Sequence, residues 1–132
     1  MTLIYRVETE YGTGPYVSYD SAWLQTIVGK ELAKTHPSPS ASGLGYTKHT
    51  EIFGFETITD LLSWFSGEDT IRALEADGYG VRVYDVPDKH ITYGLQQLKF
   101  PRDAAGGLYF ESISKLYFER QTYEVDNTDH EM

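Results

Sequence analysis

The sequence predicts an α+β domain: a small, split, twisted β-sheet with short flanking helices. Three stretches carry that reading. Thr2–Glu8 is rich in β-branched and aromatic residues and is bounded by a turn, as a strand is. Glu51–Phe65 reads as a short apolar strand, a glycine turn and a capped helix. Gly80–Val86 alternates again and is stopped by Pro87 and Asp88. The full order is strand, helix, loop, strand, helix, helix, strand, strand, helix, and no internal repeat interrupts it.

In the first strand Leu3, Tyr5 and Val7 share one face, and Ile4 and Arg6 the other. The glycines and proline of Tyr11–Tyr16 mark a loop. Asp20 or Ser21 is placed to cap a helix over 22–34, in which Leu24, Ile27, Val28 and Leu32 fall at helical spacing and Gly29 costs ~1 kcal/mol relative to alanine. His36–Gly45 holds two prolines and two glycines, which prevent regular structure and make it a candidate lid.

The central stretch follows. Gly54 suits a sharp change of direction. Thr57 is placed to cap a helix with Asp60 three residues on, and Leu61, Leu62, Trp64 and Phe65 form its apolar face. Glu68–Asp77 reads as a second helix, with Ile71 and Leu74 inward and Gly78 just past its end. His90–Phe100 reads as a strand bent at Gly94, stopped by Pro101. Leu108–Arg120 fits a helix (Leu108, Ser112, Leu116 and Tyr109, Ile113, Tyr117), with Lys115–Val125 as an alternative edge strand.

The 132 residues and 40% hydrophobic content fit one domain over 1–122, followed by an acidic, disordered tail over 123–132. No apolar run approaches the roughly 20 residues of a membrane helix and no leader opens the chain, so the expected location is the cytoplasm. Cysteine is absent, which removes disulfides and thiolate metal sites. A formal net charge of −9 argues against general nucleic-acid binding, which needs clustered Lys and Arg.

Catalytic motifs are scarce. The four histidines have no metal-ligand spacing, and neither Gly-x-Ser-x-Gly nor a phosphate-cradling loop occurs. Gly12-Thr-Gly14 precedes a proline rather than a helix and reads as a plain turn. Tyr11, Tyr16, Tyr19 and Tyr46 are candidates for stacking on a planar ligand, or for sharing a sheet surface.

Several strings together form a pattern: Tyr5-Arg-Val-Glu8, Gly14-Pro-Tyr16, His36-Pro-Ser-Pro39, Gly54-Phe-Glu-Thr57, Leu61-x-x-Trp-Phe65, Val83-Tyr-Asp-Val86 and Gly94-x-Gln-Gln-x-x-Phe100. Over residues 3–100 the chain resembles a group of small bacteriophage and bacterial proteins that brings no settled activity. More remotely it resembles compact ADP-ribosyltransferase folds. That likeness implies Arg6 and Thr57, with Tyr16, as residues meeting NAD, and puts Gln96 or Gln97 near the position of a catalytic Glu. Glutamine is neutral and cannot stabilise an oxocarbenium-like ribose. The nearest carboxylates by motif position are Glu8 and Glu56. Each candidate also has a plain structural role open to it: Arg6 on an exposed strand face, Thr57 as a helix cap, Gln96 facing solvent.

The leading expectation is a phage-encoded protein that binds a host protein, with a defence or regulatory protein as the target, and uses no cofactor. The alternatives are an NAD-dependent ADP-ribosyltransferase using Arg6 and Thr57, and a virion or assembly component. No metal, membrane or general nucleic-acid partner is expected, and the oligomeric state stays open.

Overall fold

The computed structural model describes residues 1–14, 50–95 and 97–119. The predicted helix over 22–34, the candidate lid over 36–45, Tyr16, Tyr19, Tyr46, Gln96 and the tail over 123–132 lie outside the described residues.

The fold is α+β, with two small antiparallel sheets and three helices among the described residues. Strand β1 (Thr2–Thr9) pairs along its whole length with β3 (Tyr79–Val86), which also pairs with β6 (Gly106–Ser112). This main sheet has the order β1-β3-β6. The second sheet has the order β2-β5-β4, from β2 (Glu51–Gly54), β4 (Thr92–Tyr93) and β5 (Leu98–Pro101). A reciprocal pair of backbone hydrogen bonds, both 2.8 Å, joins Tyr5 to Phe55 and so ties the end of the second sheet to β1.

The main sheet buries apolar side chains on both faces. Val7, Tyr79 and Val81 pack with Leu61 and Phe65 from helix α1 (Ile58–Trp64) and its cap, with Ile71 and Leu74 from α2 (Glu68–Ala76), and with Ile113 of helix α3 (113–119). On the opposite face Ile4, Tyr84 and Val86 pack with Ile52, Leu98 and Phe100 of the second sheet. Period-2 alternation divides the strands between the two cores: Tyr5 and Val7 go to the helices, Ile4 to the second sheet.

Local signals explain several ends. The Thr57 hydroxyl accepts from the Asp60 amide at 3.0 Å and starts α1. Gly78, at φ +85°, follows α2 in the left-handed region that favours glycine.

Three expectations are corrected. Gly54 does not turn the chain; it lies inside β2 without a positive φ. Its lack of a side chain serves close approach, since a Cβ there would sit 2.6 Å from Ile4 Cγ2 and 3.0 Å from the Tyr5 carbonyl oxygen. The predicted strand over His90–Phe100 is a hairpin, with β4 and β5 paired Thr92↔Lys99 and Tyr93↔Leu98. Gly94 donates its amide to the Gln97 carbonyl at 2.9 Å, so it lies in the turn rather than at a bend. The predicted helix over Leu108–Arg120 begins only at 113; Gly106–Ser112 is strand β6. Gly106 and Gly107 disfavour a helix, while Tyr109 and Phe110 pair opposite Val83 and Arg82. Leu108 is the additional residue of a bulge there, because Val83 faces Tyr109 and Tyr84 already faces Gly107.

Candidate functional site

Beyond Ile4 and Tyr84, the face of the main sheet that meets the second sheet becomes polar. Alternation places Arg6 and Glu8 of β1 on the same face as Arg82 and Tyr84 of β3, with Arg6 directly opposite Arg82 and Glu8 opposite Gly80. Gly80 has no room for more: a Cβ there would lie 2.7 Å from both the Glu111 carbonyl oxygen and Phe110 Cζ.

Glu8 is the centre of this cluster and is 0% exposed. Its Oε2 accepts from Arg6 Nε at 2.9 Å and from the Tyr84 hydroxyl at 3.0 Å. Its Oε1 accepts from Arg82 Nε at 2.5 Å and from the same hydroxyl at 2.8 Å. Two guanidinium groups and one phenol therefore hold a single buried carboxylate. Such a pairing offsets the large cost of removing the charges from water.

The guanidiniums are fixed from their other ends too. Arg6 Nη1 donates to the Phe53 carbonyl at 2.9 Å, and Arg82 Nη2 to the Glu10 carbonyl at 3.1 Å. The Arg82 guanidinium stacks over the Phe110 ring, 4.8 Å from its centroid. Arg102, from the 3₁₀ turn after β5, donates to the Gly12 carbonyl at 2.8 Å. The cluster thus surrounds the turn after β1, which is closed by a 2.9 Å bond from the Gly12 amide to the Thr9 carbonyl.

Burial pulls the Arg6 guanidinium below its ordinary pKa; Glu8 opposes that shift and Arg102 adds to it. The Tyr84 hydroxyl is pushed up to about 12, first by burial and then by its hydrogen bond to the Glu8 carboxylate and the charge there.

The structure separates the candidates from the sequence. Arg6 is buried, at 7% exposure, and not on an exposed strand face. Glu8 meets it directly, while Glu56 is exposed and away from these bonds. Thr57 lies beyond β2 and its hydroxyl caps α1. Gln97 stands in the β4–β5 turn, where its carbonyl accepts from Gly94. Arg82, Tyr84 and Arg102 were missed as members of the cluster. The available signal was parity, since a second arginine on a strong inner strand is unusual unless it has a buried partner.

Among the described residues no group of three or more His, Asp or Glu side chains could hold a metal ion, and no helix is long and apolar enough to cross a membrane.

A second feature lies on β6, an edge of the main sheet among the described residues. Leu108, Tyr109 and Phe110 are 53%, 49% and 38% exposed. An edge strand presents unpaired backbone donors and acceptors, and here large apolar side chains accompany them.

A protein-family model described as Bacteriophage T4 Y00F protein matches residues 1–114. The chain belongs to that family. The match includes both sheets, the Glu8 cluster and β6. It supports the resemblance to small phage proteins. Neither a curated protein nor a solved structure matches the chain, so the remote likeness to ADP-ribosyltransferases finds no support there.

Proposed function

We propose that this member of a phage protein family is an accessory protein that binds a protein of the host cell, without catalysis, by offering β6 to an extended segment of its partner. The observation that carries the reading is the edge of the main sheet, where Leu108, Tyr109 and Phe110 are exposed on a strand that pairs, among the described residues, with β3 alone. A strand added there gains main-chain hydrogen bonds along the edge and selects its side chains against Leu108 and Tyr109. The formal charge of −9 favours a partner segment carrying Lys or Arg.

The chemistry at Glu8 supports binding over transfer. An ADP-ribosyl transfer needs a carboxylate facing the ribose as positive charge develops. Glu8 is buried, and both of its oxygens already accept hydrogen bonds. Glu8 is therefore engaged within the fold, and the alternative, an NAD-dependent enzyme using Arg6 and Thr57, would draw its carboxylate from the exposed Glu56 instead.

The test uses a host protein recovered with the wild-type chain and then purified. The double variant Leu108→Ser, Tyr109→Ser is expected to bind it at least about tenfold more weakly, since exposed aromatic anchors carry much of such an interface. Its melting temperature should stay close to that of the wild type. Equal affinity of the two chains for every recovered host protein would overturn the reading.

A further inference from the structure

We propose that the turn over Tyr11–Gly14, with Arg6, Arg82 and Arg102 around it, is a binding site for a small phosphate-bearing anion. Three guanidiniums meet this turn and its neighbours, and one carboxylate, Glu8, answers them. The local excess of positive charge stands in a chain whose net charge is −9.

Two of the guanidinium nitrogens that flank the turn, Arg6 Nη2 and Arg102 Nη1, have no hydrogen-bond acceptor among the described residues. Arg6 is more than nine-tenths buried and uses Nε on Glu8 and Nη1 on Phe53, while its Nη2 has no acceptor among the described residues. A buried donor without a partner is uncommon and calls for an explanation. Arg102 is exposed and bonds the Gly12 carbonyl through Nη2; among the described residues no carboxylate lies within ion-pair distance of it.

The two nitrogens lie against the two glycines of the turn. A Cβ at Gly14 would come within 2.7 Å of Arg6 Nη2, and one at Gly12 within 2.8 Å of Arg102 Nη1. Glycine at both positions therefore keeps both groups in place, and Gly12 also needs its φ of +87°. The mutual repulsion of Arg6 and Arg102 is what a bound anion relieves. Phosphate matches this arrangement because planar guanidinium groups donate to its oxygens in pairs. The site uses no residue exposed on the β6 edge, and it needs neither a nicotinamide nor a reactive carboxylate.

The probe is inorganic pyrophosphate, titrated by calorimetry into the full chain at low ionic strength, where such contacts are least screened. The wild type is expected to bind one equivalent saturably. Arg102→Gln removes an exposed cation with one backbone hydrogen bond, so the fold should persist; it should weaken binding about tenfold or more, and Arg102→Lys should recover part of the loss. Lys89→Gln, which removes an exposed cation elsewhere, should leave binding unchanged. The absence of saturable heat with wild type, or equal losses in Arg102→Gln and Lys89→Gln, would overturn the proposal.

Discussion

Glu8 ties together residues far apart in the chain: its bonds to Arg82 and Tyr84 span 74 and 76 positions. Glu8→Gln leaves two guanidiniums without their carboxylate in a buried place and should cost roughly 3–5 kcal/mol of stability, read as a fall in the urea midpoint. Tyr84 adds a pH dependence with a definite sign. Its folded pKa, pushed up to about 12, exceeds the roughly 10 of an unfolded tyrosine. The contribution is therefore complete below about pH 10 and lost as pH rises toward about 12. Tyr84→Phe should flatten the alkaline limb of stability against pH; an unchanged limb would contradict the assignment. The sequence showed the strand parity of Arg6 but not its burial. Alternation sorts faces, whereas Arg82, Tyr84 and the second sheet come from distant parts of the chain. Thr57 was legible as a cap because its partner Asp60 is only three residues away.

At the scale of elements, α3 depends on a side chain of α2. Glu75 accepts from the Ser112 hydroxyl at 2.6 Å and from the Ser114 amide at 2.8 Å, and Ser112 in turn accepts from the Lys115 amide at 3.2 Å. Free amides at the start of α3 are thus satisfied by a carboxylate and a hydroxyl. Burial alone would raise the Glu75 carboxyl, but the bonds from Ser112 and Ser114 outweigh it and hold it below the ordinary carboxylate value. Stability from this contact is present above the unfolded value of about 4.3 and lost as pH falls through the lower folded one. Glu75→Gln should destabilise at pH 7, and the difference from wild type should shrink in acid. Gly54→Ala is the matching test of close packing between the sheets. Its Cβ meets Ile4 and the Tyr5 backbone, and the strain should cost about 1–3 kcal/mol in thermal or urea unfolding. The helix assigned from Leu108 failed at this scale. Residues four apart along 108–117 are also compatible with a strand followed by a helix, and pairing with β3 decided the first half.

For the whole molecule, the α+β class was readable because β1, α1, α2 and β3 each carry strong local signals. A split sheet was also expected, but which strands fall in each part was not readable, since that depends on distant pairings such as β1 with β3 and on β4 folding back along β5. Of the candidate site Arg6 was named from the sequence, while the residues that surround it, Phe53, Arg82 and Tyr84, come from distant parts of the chain. A surface-binding role places function on β6 and leaves Glu8 to hold the fold. The most direct measurement is site-specific photo-crosslinking in host cells, with the reactive group at position 109 on β6 or, as a control, at exposed position 69 on α2. Position 109 should give one predominant adduct with a host protein that competes away with the untagged wild-type chain, and position 69 should give none. No adduct at 109, or the same adducts from both positions, would contradict a binding role for this edge.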